Sequence, residues 1–403
     1  MRKLRILFGP FVGELGWEQS FFSGYVRRFA QQAEGQAEIH VASYPGRNVF
    51  YGEEVLFHPH PDWFASLPLS QNGYVADQWF GDWPPAKNPE RFGRDIVRAH
   101  DELLDFHLAA IGGVDRVVAP ARLFRCVLDP SKVWGTYFSP LRPLSPAPLT
   151  IRIEPSHQAW SHLAPSAEAR RVLNELHPGI FDDPGIDRIA VLPRLRLGRR
   201  PDKNWPEDYY RDLIRRLQER YPSAKIVLIG APGGAYFADG KVPDGMIDLI
   251  NLPDERMRLD LHVAAIRQCR FAVGGLSGAM LMVLACGTPV VEWGYAHHEP
   301  ETRRQNFLRT PLLYIAENMP SVDDVFSLVR EAAENPHSID RTVQVPSLSG
   351  EVDKGRHPLP LLQRLRFAAF KRIDRALYSM AKSHILSTTP ALVLPTRQSQ
   401  EQI

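Results

Sequence analysis

From Phe271 to Val291 the chain carries no charged residue, a run long enough to cross a bilayer. Gly274, Gly275, Gly278, Gly287 and Pro289 interrupt it, and only the stretch around residues 278–286 reads as unbroken helix. A buried strand, a tight turn, a helix and a second strand account for the segment better than a membrane span. Strands this apolar are buried on both faces, so the segment points to a parallel sheet covered by helices.

The alternation continues on both sides of that segment. Ile189–Leu192, Lys225–Ile229, Met246–Ile250, Phe271–Val273, Pro289–Glu292 and Leu312–Ile315 read as strands. Pro206–Tyr221, Leu259–Cys269, Gly278–Cys286 and Val322–Ala332 read as the helices between and after them. Helix 206–221 is well signalled: Pro206 suits its first position, Glu207 and Asp208 favour the positive dipole end, and Tyr210, Leu213, Ile214 and Leu217 make one apolar stripe.

A less regular series opens the chain. Leu4–Phe8 is a strand, residues 9–16 a glycine-rich loop, Glu18–Gln31 a helix, and Glu38–Ala42 and Arg116–Ala119 further strands. The opening apolar run is too short for a signal-peptide core. Residues 45–100 are rich in Pro, Gly and aromatics, and no order of elements emerges there. With 403 residues, two domains and a tail are expected: 1–180, 187–345, an amphipathic helix over 355–385 and a disordered tail over 387–403. Residues 139–187, with repeated prolines and a helix at Ser166–Leu176, read as the connection. The fold class is α/β, with two facing Rossmann-like, doubly wound parallel sheets and a C-terminal basic helix.

Composition limits the function. The chain is 44% hydrophobic and 23% charged, with a net charge of +2, so bulk electrostatics do not make it a nucleic-acid binder. Cys126, Cys269 and Cys286 lack metal spacing and read as reduced, buried thiols of a cytoplasmic protein. His297, His298 and Glu299 look metal-like, yet adjacent histidines rarely address one centre, so no metal is expected. The segment 361–383 carries Leu361, Leu365, Ala369, Ile373 and Leu377 at near-helical spacing among six basic residues. It suits peripheral contact with an anionic membrane face, or docking back onto the protein.

Three strand-end loops carry candidate chemistry. In the first, Gly13 and Gly16 flank Glu14, leaving room for a ligand, and Glu14 suits a general base toward an acceptor hydroxyl. Helix capping is the alternative for Glu14 and the better reading for Glu18. The G-x-G-x-x-G spacing of a dinucleotide fingerprint is absent. The second runs Pro193 to Pro206 and holds Arg194, Arg196, Arg199, Arg200 and Lys203 before a helix, a suitable diphosphate receptor unless it is a solvated basic loop. In the third, Gly274-Gly275-Leu276-Ser277-Gly278 lets amides approach phosphate, with Ser277 adding a hydroxyl; a tight turn is the plainer reading. Gly230 follows another strand on the same side. Glu292 suits ribose hydroxyls or a helix cap, and Trp293 the border of a base. Six of the eight tryptophans, including Trp17 and Trp79, precede residue 161 and either fill the core or form a sugar-stacking acceptor face. Gly13, Trp17, Glu18 and Trp79 are therefore the acceptor candidates.

Taken in order, Lys203-Asn204-Trp205-Pro206, Ile226 through Pro232, and Val273 through Val291 resemble the donor domain of GT-B glycosyltransferases, most of all the heptosyltransferase branch. The resemblance covers about residues 189–294. It implies inverting, metal-free transfer from a nucleotide-diphosphate sugar, without a cofactor, to a glycan or glycolipid hydroxyl. It also makes the acidic residue after glycine in the first loop, Glu14 here, the catalytic base. The family's helix start reads Asp-Thr-Gly followed by Met-His, whereas here it is Leu276-Ser277-Gly278 followed by Met280-Leu281. A sugar-nucleotide 2-epimerase of similar fold and a silent carbohydrate- or nucleotide-binding protein are the rival expectations.

Overall fold

The computed structural model of the protein describes residues 3–11, 15–33, 35–65, 94–118, 159–196, 200–238, 240–336 and 339–346. The described residues up to 159 form one compact unit, and those from 160 to 346 form another. Each unit is built on a parallel sheet with helical crossovers, as the alternation of strands and helices predicts.

In the first unit the strands are β1 (Leu4–Phe8), β2 (Ala37–Ser43), β3 (Val55–Pro59) and β4 (Arg116–Val118). They lie in the order β3-β2-β1-β4, all parallel. Parallel neighbours need long returns, which helices α1 (Ser23–Gln32) and α2 (Arg94–Ile111) supply. Leu7 packs with Ala42, Leu104, Ile111 and Val117. The helix expected from Glu18 is not regular. A turn at Leu15–Trp17 runs into a wide π turn at Glu18–Phe22, and the Ser23 hydroxyl donates to the Gln19 carbonyl at 3.0 Å. β3 and the start of α2 fall in the stretch for which the sequence offers no order.

The second unit contains β5 (Arg188–Leu192), β6 (Lys225–Leu228), β7 (Ile247–Asp248), β8 (Phe271–Gly275), β9 (Val290–Trp293), β10 (Leu312–Ile315) and β11 (Arg341–Val343). Their order is β11-β10-β9-β8-β5-β6-β7, again all parallel. The helices are α3 (Ala167–Leu176), α4 (Glu207–Arg220), α5 (Arg258–Ile266), α6 (Gly278–Cys286), α7 (Glu299–Gln305) and α8 (Val322–Glu334). Alternate strand residues, Ile189, Val191, Phe271, Val273, Val291, Trp293, Leu313 and Ile315, pack with Tyr210, Leu213, Ile214 and Leu217 of α4 and Val325 and Val329 of α8. Enclosing each such aliphatic side chain contributes about 1.5–3 kcal/mol.

The uncharged run resolves as expected into β8, a turn, α6 and β9, with Gly287 closing α6 in the left-handed conformation at φ 80°. Among the described residues no helix is long and apolar enough to cross a membrane. Pro206 stands one residue outside α4 as its cap rather than at its first position. The segment 160–180, expected in the N-terminal domain, packs with the second unit. The Ser166 side chain caps α3, its amide donates to Asp260 on α5 at 3.0 Å, and Arg267 donates to the Leu163 carbonyl at 2.9 Å. Cys269 and Cys286 are buried free thiols, and burial pushes the Cys269 thiol up to about 12. Cys126, residues 361–383 and residues 387–403 lie outside the described residues.

Candidate functional site

From β5 the second sheet runs outward through β6 to β7. The chain then returns to the other side of β5 and continues through β8, β9, β10 and β11. The order therefore reverses between β5 and β8, and open parallel sheets bind ligands at the carboxyl ends of the strands flanking such a reversal. The residues just beyond those ends are Arg194 after β5 and Leu276-Ser277 after β8.

Asn204 shapes the basic loop. Its side chain accepts from the Arg196 amide at 3.0 Å and donates to the Arg196 carbonyl at 2.9 Å, and it also accepts from the Arg194 guanidinium. Arg194 is only 6% exposed and donates as well to the Arg200 carbonyl at 3.2 Å. Its backbone bridges Ala235, which pins this loop to the one after β6. Arg194 is thus a staple of the loop, and Arg196 is held through its backbone. The diphosphate reading fits the Arg194 side chain less well than it fits Lys203.

Lys203 ends a tight turn at Pro201–Lys203, and its ammonium donates to His298 Nε2 at 3.3 Å. Asp202 in that turn accepts from the Tyr295 hydroxyl at 3.0 Å, tying the lysine to the loop after β9. Burial, then the neighbouring Arg200 and Arg194 charges, bring the Lys203 ammonium down to about 8 against the opposing pull of Asp202 and Glu292. The next residue but one, Trp205, is wholly buried and donates through Nε1 to the Pro320 carbonyl at 2.9 Å.

Ser277 caps α6 by accepting from the Met280 amide, and Gly278 opens the helix. The cap explains the serine and leaves its O–H available as a donor beside the helix start. Gly275 has another reason to be glycine. A Cβ there would lie 3.2 Å from Trp293 Nε1 and 3.7 Å from the Tyr210 hydroxyl oxygen. Gly230 lacks a Cβ because Ala235 would stand 2.5 Å away, so it serves loop packing rather than a ligand.

Trp293 does not border a base. Its ring is 1% exposed and packs on Trp205 at 4.6 Å and Tyr210 at 5.9 Å between centroids. It faces the core because Val291, two residues earlier, does so too. Glu292 faces the other way and is wholly buried, with no side-chain partner for its carboxylate and only the Ser277 amide close enough to act on it through the backbone. Burial raises its carboxyl to about 8, with the Lys203 charge and the Ser277 amide opposing the shift. On the core face the Trp293 Nε1 is buried without a hydrogen-bond partner, while the buried Tyr210 hydroxyl lies against the backbone amides of Arg194 and Gly275. Buried polar groups are normally satisfied, so the buried carboxyl of Glu292 at the carboxyl end of β9, close to Ser277 and within reach of the Lys203 charge, marks a candidate functional position.

In the first unit, β1 lies between β2 and β4, so the loop after it also leaves a point where strand order reverses. Gly9 begins that loop at φ 122°, where a Cβ would meet the Ala42 carbonyl at 2.7 Å. His60 Nε2 donates to the Phe11 carbonyl at 2.9 Å on one side of residues 12–14. On the other, the fully buried Glu18 accepts from Arg47 and from the Tyr51 hydroxyl, both at 2.6 Å. Glu18 is therefore an internal anchor and neither an acceptor ligand nor a simple cap. Gly13, Glu14 and Trp79 lie outside the described residues, and Trp17 ends the first helical turn. Trp63 is exposed, whereas Trp160 belongs to the second unit and stacks on Phe307 at 4.1 Å. Among the described residues no group of His, Cys, Asp and Glu is arranged to hold a metal. His298 instead serves Lys203.

Tyr295 carried no signal in the sequence, while Tyr210, Asn204 and His298 stood there only as an apolar stripe residue, part of a motif and a metal-like histidine. Tyr210 was available as a signal, because the first turn of a helix entering from a sheet edge stays at that edge.

No protein-family model and no curated protein sequence matches the chain. Among solved structures it is similar to a glycosyl transferase family 9 protein from Veillonella parvula, at 13% identity and a TM-score of 0.40, over 72% of this chain and 80% of that one. It is also similar to the E. coli heptosyltransferase WaaC with ADP, at 15% identity and a TM-score of 0.42, over 83% of this chain and 100% of that one. A third is described as a UDP-N-acetylglucosamine 2-epimerase from Listeria monocytogenes, at 11% identity and a TM-score of 0.40, over 84% and 90% of the two chains. Likenesses of this degree assign no activity, which has to come from the residues of the site.

Proposed function

We propose that the chain is an inverting, metal-independent glycosyltransferase that moves a sugar from a nucleotide-diphosphate donor to a hydroxyl of a glycan or glycolipid. The observation that carries the reading is the carboxyl edge of β8 and β9. There Lys203 and the capped start of α6 act on the wholly buried carboxyl of Glu292, at the reversal of strand order. An ammonium and free helix amides suit a diphosphate, and they stabilise the charge that grows on it as a leaving group.

In this reading Glu14 takes the acceptor's proton as its oxygen attacks the anomeric carbon, and the nucleoside diphosphate leaves with the bonding pair. The glycine beside Glu14 and the anchored flanks at Phe11 and Glu18 support that assignment. The basic segment 361–383 would bring a lipid-borne acceptor close through the inner face of a membrane.

Incubation of the full chain with nucleotide sugars, with and without glycan and glycolipid acceptors, tests the function. Acceptor-dependent release of nucleoside diphosphate is expected. Isomerisation of the donor without any acceptor would instead make the chain an epimerase. Binding without turnover would make it a silent receptor.

A further inference from the structure

Glu292 is set apart from the other acidic groups of the second unit by its surroundings. Its neighbours in register are Gly274 on β8, which has no side chain, and Tyr314 on β10, whose hydroxyl donates to the Tyr295 carbonyl at 2.9 Å. The groups that act on its charge are the Lys203 ammonium, from the turn before α4, and the Ser277 amide at the start of α6. The Tyr314 phenol feels both Glu292 and Glu299 of α7. Lys203 is itself shared with Asp202, Arg200, Arg194 and His298.

A diphosphate drawn to Lys203 and to the amides of α6 would share the two groups that act on this buried carboxyl. Like charges in a low-dielectric space cannot all remain ionised, and the group with the weakest support yields first. Glu292 has that weakest support, since it is wholly buried and no ion pair or full hydrogen bond holds its charge beyond the pull of the Ser277 amide and the Lys203 ammonium.

Resting on the donor-site reading above, we propose that Glu292 binds a proton as a nucleoside diphosphate enters, so that the anion meets a neutral acid in place of a carboxylate. The step balances simply. One solvent proton joins the carboxylate oxygen, and no other bond forms or breaks. The carboxyl's rise to about 8 through burial agrees with a group poised for this exchange near neutral pH. The donor site then selects its ligand together with a proton and weakens in alkaline solution.

Calorimetric titration of the full chain with UDP, GDP, ADP, CDP and dTDP at pH 8.5, in buffers of differing ionisation heat, counts the protons. Wild type is expected to take up a substantial part of one proton per ligand, and Glu292→Gln markedly less. Lys203→Arg, charged throughout the range, is expected to keep the uptake and to lose affinity about tenfold per pH unit above the carboxyl's transition. Equal uptake by wild type and Glu292→Gln overturns the proposal, as does loss of uptake in Lys203→Arg with binding retained, which assigns the proton to the lysine. Binding without proton uptake in wild type overturns it while leaving the donor site standing. If no nucleoside diphosphate binds wild type, the donor-site reading itself falls, and this proposal with it.

Discussion

Asn204 grips Arg196 by both backbone polar groups, accepting from its amide at 3.0 Å and donating to its carbonyl at 2.9 Å. One side chain thereby does the work of a strand edge beside the turn that holds Lys203 against His298. Asn204→Ala leaves the buried Arg194 guanidinium short of a partner and loosens the half-buried Arg196 backbone, at a cost of about 1 kcal/mol or more. Urea unfolding should report that loss, and nucleotide binding should weaken with it. Unchanged stability would show that the loop does not depend on the amide.

Glu18 should matter to folding more than to ligand binding. Its carboxylate is wholly enclosed, with Arg47 and the Tyr51 hydroxyl as partners at 2.6 Å. Removing one member of a buried pair typically costs about 3–5 kcal/mol. Glu18→Ala should therefore lower the melting temperature clearly, while nucleotide affinity in the second unit stays near wild type. The reverse pattern would return Glu18 to the ligand site.

Two buried histidines make stability depend on acidity. Burial lowers His107 in the first unit and His262 in the second to about 4, from an ordinary value of 6.5. Both are neutral in the folded chain, whereas the unfolded chain takes up their protons below about 6.5. Their stabilisation is complete above that value and is lost as pH falls from about 6.5 to 4. At about 1.4 kcal/mol per unit, each contributes on the order of 3 kcal/mol to that slope. Denaturation midpoints measured across this range should fall with pH, and His107→Gln and His262→Gln should each flatten the curve. A flat wild-type curve would contradict the assignment.

Much of the second sheet was legible in the sequence because its elements are short, apolar and punctuated. Gly278–Cys286 and Leu312–Ile315 agree with the structure residue for residue. The first unit was less legible. Val55–Pro59 alternates weakly and sits among Pro, Gly and aromatic residues, and the π turn at Glu18–Phe22 spoils a helical period. At the site, position along the chain was readable but direction was not. Arg194 and Lys203 look equivalent in a basic loop, yet one is consumed by Asn204 and the other donates to His298. Trp293 at a strand end suggested a base platform. Only its pairing with Trp205 across the core shows which face of β9 it takes.

Glu14→Gln should retain nucleotide binding while turnover falls by roughly 10²–10⁴, the usual span for a lost general base. Activity should survive a metal chelator, because Lys203 and the start of α6 carry the leaving charge in this account. Chelation that abolishes turnover, restored by a divalent cation, would refute the metal-free step.

The most direct measurement is a thermal-shift series on the full chain with UDP-, GDP-, ADP-, CMP- and dTDP-sugars, run beside Lys203→Ala. Ligand at a hundred times its Kd stabilises the folded state by about 2.7 kcal/mol, enough to displace the melting curve. One nucleotide class should raise the wild-type transition, and the shift should shrink or vanish in Lys203→Ala. No shift with any nucleotide sugar at millimolar concentration, or an equal shift in the variant, would contradict a donor site at the carboxyl edge of β8 and β9.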